Sequence, residues 1–259
     1  MKRFLFSILP KAFINKFKLK YYNLKNNRYS FGLEQDYYTT SFEKSWTVKT
    51  INPLYFIVSD IDRYEKYYQI KKSDVVLDCG ANEGALSAVY SKKVGETGTV
   101  YGFEPDSINI KLLNKTISLN NAWNNFKLVE KAIWKNNKTI EFYEEGTVAS
   151  SAFYNTKHSK KVLKKAITID SFLKEENLRQ LDFIKMDIEG AEIEALEGAV
   201  KTIEKHQPNF AIASYHLING EQTYMALESF FKKINYPFKT VFFDDGEAIT
   251  YAGNCLNNK

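Results

Sequence analysis

Short apolar runs that close on an acidic residue recur along the chain, and each is followed by a stretch with helical spacing. Val75, Val76 and Leu77 form the first run, long enough for a strand buried on both faces, and Asp78 ends it. Ala85 to Lys92 carries Leu86 and Val89 at i, i+3, which predicts a helix. Val100-Tyr-Gly-Phe is the second run, closing on Glu104, and Ser107 to Asn120 predicts a helix that buries Ile108, Leu112 and Ile117. Phe126 to Trp134 reads as a third strand, followed by a turn at Asn136-Asn137 and a hairpin-like excursion over Lys138 to Tyr143. Ala166 to Asp170 predicts a short strand running into a helix that Asp170 caps. Phe183, Ile184 and Met186 make a fourth buried strand, which delivers Asp187 to its end. Ala191 to His206 then predicts a helix burying Ile193, Leu196, Val200 and Ile203, stopped by Pro208. Asn209 to His216 is a fifth strand and Glu221 to Asn235 a last helix. Phe238 to Phe243 and Ala248 to Ala252 form a terminal pair turned at Asp244-Asp245-Gly246.

A βα order repeated in this way and ending in a hairpin predicts an α/β fold. The expected architecture is a Rossmann-like, seven-stranded, mostly parallel sheet with an antiparallel terminal strand and helices on both faces. Ahead of it, Ile57 to Tyr68 predicts a helix with Ile57, Ile61, Tyr64 and Tyr68 on one face, and Asn52-Pro-Leu-Tyr55 a turn leading into it. The chain divides into a basic, aromatic N-terminal extension, residues 1–50, and a catalytic domain, residues 51–259.

Charge sharpens that division. Residues 1–30 hold eight Lys and Arg and no acid; with those set aside, 28 basic residues stand against 31 acidic ones. The net +5 therefore belongs to the extension. Phe4 to Leu9 is too short to span a bilayer, but Phe4, Leu5, Ile8, Leu9, Phe13, Ile14 and Phe17 recur at roughly helical intervals, with Pro10 interrupting them. Two readings stand: peripheral contact of residues 1–30 with an anionic membrane surface, or packing on the chain's own domain or a partner. Two cysteines, Cys79 and Cys255, exclude a disulfide scaffold and point to a reducing, cytoplasmic compartment. Asn155 to Lys165, basic and containing His158, reads as a solvated loop, and no nucleic-acid partner is expected because the basic residues lack interleaved aromatics near the site.

The chemistry concentrates in two stretches. In Val75 to Gly84, VVLDCGANEG, the residues Gly80, Ala81, Asn82 and Gly84 suit a sharp turn between a strand and a helix, where free backbone N–H groups meet a nucleotide-like ligand. Glu104 lies 20 residues beyond Gly84, where the acid ending the second strand of a βαβ unit accepts ribose hydroxyls. The spacing is not the G-x-G-x-x-G of a dinucleotide loop, and the polar Asp78 and Asn82 fit a ligand with an amino-acid end, S-adenosylmethionine above all. A nicotinamide-dependent oxidoreductase and a non-catalytic membrane-surface scaffold are the alternatives. Gly146 to Ser151, small and polar, is expected as a loop over the cofactor. The second stretch, Leu181 to Glu192, LDFIKMDIEGAE, puts Asp187 at the carboxyl edge of the sheet, with His216 brought to the same edge by the fifth strand.

VLDCGANEG, the acid-proline pair Glu104-Pro105 in YGFEPD, TIDSF and FIKMDIEGAEIEALEGA together resemble the FkbM-type S-adenosylmethionine-dependent methyltransferases, from about Asp74 to His216. The KMDIEGAE block is the specific part, since the glycine turn is common to all class I methyltransferases. The resemblance implies methyl transfer to a hydroxyl, on a sugar, glycan or related natural product. It implies that Asp78, Gly80, Ala81, Asn82 and Gly84 hold the methionine end and that Glu104 and Pro105 meet the ribose. Lys131 and Ala132 would flank the adenine, and Asp187 and Glu189 would face a small-molecule or glycan acceptor. Glu83 stands where family members carry an aliphatic residue, either facing solvent or adding negative charge beside the cofactor. An alcohol needs its proton removed, so Asp187 and His216 are the candidate catalytic bases. A divalent metal such as Mg²⁺, held by Asp187 with Glu189 as a further ligand, is the other route to an activated hydroxyl.

Overall fold

β4 (Val75–Cys79 in chain order, after three strands of the N-terminal segment) lies inside a seven-stranded sheet, because Val76, Leu77 and Cys79 are apolar and the strand is covered on both faces. The computed structural model describes residues 11–42, 45–56, 58–120, 124–146, 151–153, 157 and 159–258. The N-terminal strands β1 (Tyr29–Leu33), β2 (Tyr38–Phe42) and β3 (Trp46–Thr50) form an antiparallel meander of their own. Chain order continues with β5 (Thr99–Phe103), β6 (Phe126–Val129), β7 (Ala132–Ile133), β8 (Lys138–Glu144), β9 (Lys160–Ile167) and β10 (Phe183–Met186). The last are β11 (Asn209–Ala213), β12 (Leu217–Ile218), β13 (Glu221–Gln222), β14 (Phe238–Phe242) and β15 (Ala248–Ala252).

The main sheet runs β14-β15-β11-β10-β4-β5-β6. β6, β5, β4, β10 and β11 are mutually parallel, and β15 pairs antiparallel with both neighbours, so the expected α/β architecture is the one observed. Register sets the site. Cys79 pairs with Met186 and with Phe103, so the chain leaves β4, β5 and β10 at one level, and Gly80, Glu104 and Asp187 emerge side by side.

The N-terminal meander packs on the sheet: Phe31, Phe42 and Val48 share one core cluster with Val76, Val89 and Phe183. Several expected elements differ, each for a physical reason. The helix Ser107–Leu119 turns Asn109, Ile110, Leu113 and Thr116 inward, and Ile108 is 45% exposed. Asp106 fixes this phase by accepting from the Ile108 and Asn109 amides, so polar Asn109 and Thr116 take inward places that a purely hydrophobic count misses. The expected helix Ala191 to His206 is two, Glu192–Glu197 and Val200–His206. The chain bends at Gly198, where a Cβ would come within 2.4 Å of the Trp134 carbonyl, and the bend leaves Val200 exposed. Asp170 does not cap its own helix; Thr168 does, and Asp170 instead accepts from the amides of Lys201 and Thr202 in the first turn of Val200–His206.

The basic stretch read as a loop is half strand. β9 pairs antiparallel with β8, where Lys161 meets Glu141 at 2.7 Å and Lys164 meets Glu144 at 2.6 Å. Acids on the neighbouring strand offset a charge run that looks solvated in isolation. The third strand breaks into β6 and β7, the fifth ends at Ala213, and the helix before β4 is a short Val58–Tyr64. The last helix begins at Thr223, because Glu221 and Gln222 pair back on Leu217 and Ile218. Residues 1–10, Ile57, 147–150 of the expected cofactor loop and His158 lie outside the described residues.

Candidate functional site

The glycine turn is locked from both sides. The Gly80 and Ala81 amides donate to the Phe103 carbonyl at 3.0 and 2.9 Å, tying the turn to the end of β5. Gly80 sits at φ +83, and a Cβ there would lie 1.9 Å from the Asp187 carbonyl oxygen. Only glycine fits between β4 and β10 at this point. Asn82, in the left-handed region at φ 49, donates its amide to Glu104 Oε2 at 2.7 Å. Glu104 Oε1 accepts from the Asp106 amide at 2.9 Å. Burial pushes the Glu104 carboxyl up to about 7, against the opposing pull of the Asp106 and Asn82 amides.

Beneath the turn lies a buried ion pair. Lys185 Nζ donates to the Gly80 carbonyl at 2.8 Å and stands 3.2 Å from Asp78 Oδ1, while Asp78 Oδ2 accepts from Ser87 Oγ at 2.6 Å. Burial alone would lower the Lys185 ammonium; the Asp78 and Asp187 charges reverse that and hold it above the ordinary lysine value. Asp78 is fully buried, so it supports the turn from behind rather than facing a ligand.

In front of the turn opens a cavity of about 470 Å³. Of the residues expected at the site, Gly80, Ala81, Asn82, Glu104, Pro105, Lys131, Ala132, Asp187 and Glu189 line it; Asp78, Gly84 and His216 do not. Glu83 lines it as well, accepting from Asn52 Nδ2 at 2.5 Å, and burial raises its carboxyl. At the far end the Tyr64 hydroxyl donates to Asp187 Oδ2 at 2.9 Å. His216 stands behind the wall, with Nε2 3.5 Å from Asp187 Oδ1 and 3.6 Å from Glu189 Oε2, and Nδ1 3.2 Å from Glu192 Oε1. Burial would lower the His216 imidazole, but the approach of Glu189, Glu192 and Asp187 wins and pushes it up to about 11.

Sequence reasoning passed over Lys185, Tyr64, Trp134 and Glu192 as site residues. Lys185 was legible: it sits on β10 two residues before Asp187, and both line the cavity. Tyr64 and Trp134 were not, since each reads as core, and only the tertiary fold brings the Tyr64 hydroxyl to Asp187 and Trp134 to the cavity wall.

The cavity has the size for a nucleoside-like ligand: pockets that enclose small ligands run from roughly 300 to 1,000 Å³. Its lining, a glycine-only approach with a carboxylate beside it, suits S-adenosylmethionine. Comparison with known proteins agrees with this arrangement. A solved structure of methyltransferase FkbM from Methylobacillus flagellatus superposes with TM-score 0.54 at 24% identity, covering 71% of this chain and 44% of that one, so the chain spans less than half of that protein's length. A putative rRNA-methylase from Clostridium thermocellum (13% identity, TM-score 0.47, 75% and 93% covered) and Aeropyrum pernix fibrillarin in complex with S-adenosyl-L-methionine (12%, 0.44, 86% and 97%) are more distant. No curated protein matches the chain. The family model for the methyltransferase FkbM domain matches residues 78–239, more than half of the chain and the whole of the cavity's glycine turn, Glu104 and Asp187. The chain belongs to the FkbM methyltransferase domain family.

Proposed function

We propose that the protein transfers a methyl group from S-adenosylmethionine to a hydroxyl of a sugar, glycan or related natural product. The observation that carries this is the single cavity bounded at one end by Gly80 to Glu83 with Glu104 and at the other by Asp187 and Glu189. S-adenosylmethionine, when bound, supplies a methyl carbon on a sulfonium, open to in-line attack by an oxygen. Gly80 to Asn82 would hold the amino-acid end, Glu104 the ribose hydroxyls, and the Lys131-Ala132 segment the base. Asp187 would receive the acceptor's proton as the O–C bond forms and the C–S electron pair leaves on sulfur, or would hold a divalent cation that acidifies the hydroxyl. The Tyr64 hydroxyl fixes one Asp187 oxygen and leaves the other for this work. The nicotinamide alternative is disfavoured, because the Asn82 amide is committed to Glu104 instead of being presented to a pyrophosphate.

The test is incubation with S-adenosylmethionine carrying a labelled methyl group and a panel of glycans, followed by hydrolysis and sugar analysis. Label is expected in sugar methyl ethers, and Asp187→Asn is expected to slow turnover about 10²–10⁴-fold while leaving S-adenosylhomocysteine affinity unchanged. Label found only on nitrogen or in nucleic acid would overturn the proposal.

The N-terminal helix Lys11–Lys25 favours a second, separate reading, peripheral contact with a membrane inner surface in the cytoplasm. Phe17, Tyr21 and Leu24 are exposed at 54%, 45% and 79% among lysines, and no described helix is long and apolar enough to cross a membrane. Sedimentation with vesicles containing anionic phospholipid should fall for Phe17→Ser/Leu24→Ser; unchanged sedimentation, or none by the parent chain, would remove this reading.

A further inference from the structure

Asp187, Glu189 and His216 converge where the cavity meets the end of β11, with one ligand atom from each lying within 4.8 Å of the others. The valences left over all face one point. Asp187 Oδ2 is taken by Tyr64, while Oδ1 has no hydrogen-bond partner among the described residues. His216 is 6% exposed, and among the described residues neither ring nitrogen makes a hydrogen bond of proper geometry, although Nε2 is aimed between Asp187 Oδ1 and Glu189 Oε2. Glu189 reaches this position from a backbone in the left-handed region, φ 55, unusual for a residue with a side chain.

The rear of the imidazole is equally organised. Nδ1 lies 3.2 Å from Glu192 Oε1, which the Ile188 and Gly190 amides hold in place at 3.2 Å each. A buried carboxylate on one imidazole nitrogen, with the other nitrogen aimed at further carboxylates, is how proteins orient a histidine that ligates a metal. Among the described residues the nearby cations have closer partners: Lys185 is engaged by Asp78 and the Gly80 carbonyl, and Arg63 by Asp245 and Glu247 at 2.6 Å each. Adjacent ligands of a six-coordinate ion bound at about 2.1 Å are roughly 3.0 Å apart, so the 3.5 and 3.6 Å from His216 Nε2 to the two carboxylates need close by about half an ångström, and the carboxylate oxygens start within 4.8 Å of each other.

We propose that Asp187 Oδ1, Glu189 Oε2 and His216 Nε2 form a divalent-cation site whose open positions face the acceptor end of the cavity, with Glu192 as the positioning residue behind His216. The ion takes the place of the proton that the surrounding carboxylates otherwise hold on the imidazole, and that proton is released to solvent on binding. The imidazole ligand favours an ion of the Mn²⁺ type over Mg²⁺, which prefers oxygen alone. This deepens the methyl-transfer reading and rests on it only for the ion's role: to hold and polarise the acceptor hydroxyl, whose proton leaves to water at the cavity mouth as the oxygen bonds to the methyl carbon.

The experiment titrates the chelator-treated full chain with Mn²⁺, follows the free ion by electron paramagnetic resonance, and measures S-adenosylhomocysteine binding on the same sample by calorimetry. One Mn²⁺ per chain is expected, with nitrogen modulation from a coordinated imidazole in pulsed spectra. Glu192→Gln should weaken it about 10–100-fold, and His216→Gln should remove the nitrogen signal. A folded chain that binds S-adenosylhomocysteine but takes up no Mn²⁺ at millimolar concentration would overturn the site. So would bound Mn²⁺ without nitrogen modulation in the parent chain, a measurement independent of whether either variant folds. Mn²⁺ uptake with the nitrogen signal but no S-adenosylhomocysteine binding would leave the cation site standing and overturn the cofactor reading instead.

Discussion

Replacing Gly80 by alanine tests the packing that makes the site. The added Cβ would lie 1.9 Å from the Asp187 carbonyl oxygen and 3.0 Å from its carbonyl carbon, both backbone atoms that cannot rotate away. Restoring an ordinary contact of about 3.2 Å means moving the turn and the β10 tip apart by more than about 1 Å, and misplacements of that size cost a site about 10²-fold in rate. Two costs add. The φ of +83 costs alanine roughly 1–2 kcal/mol wherever it occurs, and the forced separation adds about 1–3 kcal/mol of overpacking. Gly220 separates them, since it has nearly the same φ, +86, but nothing within 4 Å of a would-be Cβ. Thermal melts of Gly80→Ala and Gly220→Ala, read at roughly 2–4 °C per kcal/mol, should therefore differ by about 2–12 °C. Only Gly80→Ala should also lose S-adenosylhomocysteine binding in calorimetry. Equal melting temperatures with ligand binding intact in both would refute the argument that the turn is wedged against the strand carrying Asp187.

Further predictions concern the groups around that turn. Lys185→Met should lower stability by about 3–5 kcal/mol, because Asp78 is left charged and buried; thermal melts should show part of this recovered in Asp78→Asn/Lys185→Met. Glu104 holds its proton up to about 7, above the ordinary glutamate value, so its contribution to stability is full below the unfolded value of 4.5 and is lost as pH rises through 7. Glu104→Gln should flatten that part of the stability–pH curve. In its proposed role the same carboxyl accepts the ribose hydroxyls best when ionised, so S-adenosylhomocysteine affinity should fall as pH drops from 8 to 6, approaching tenfold per unit, and should be pH-independent in Glu104→Gln. Trp134 lines the cavity, so its fluorescence should change on titration with S-adenosylhomocysteine, a response absent from Trp134→Phe. Tyr64→Phe should slow turnover about tenfold with unchanged cofactor affinity, as befits one lost hydrogen bond to Asp187.

What the sequence revealed and hid follows from the range of the interactions involved. β4, β5 and β10 were legible because each is a run of apolar residues closing on the feature that matters: the glycine turn after Asp78, Glu104 and Asp187. The order of βα units then placed all three at one sheet edge. The meander of residues 29–50 was not legible, because its inward positions include Thr40 and Thr50 beside Phe31 and Val48, so no clean alternation marks it. The Lys160 stretch hid as a loop until Glu141 and Glu144 were brought beside it, and Asn109 hid because its inward place follows from the Asp106 cap. The roles of Asp78 and His216 changed for the same reason. Composition marks them as polar, but only burial shows Asp78 spent on Lys185 and His216 enclosed by three carboxylates.

All of these readings depend on the cavity in front of Gly80 accepting a sulfur-containing nucleoside. Isothermal titration of the full chain with S-adenosylhomocysteine, beside an identical titration with NAD, measures that directly. The account predicts one S-adenosylhomocysteine per chain in about the micromolar range, abolished by Glu104→Ala, and no heat with NAD. Saturable NAD binding with no S-adenosylhomocysteine binding, in protein shown by its melt to be folded, would contradict it.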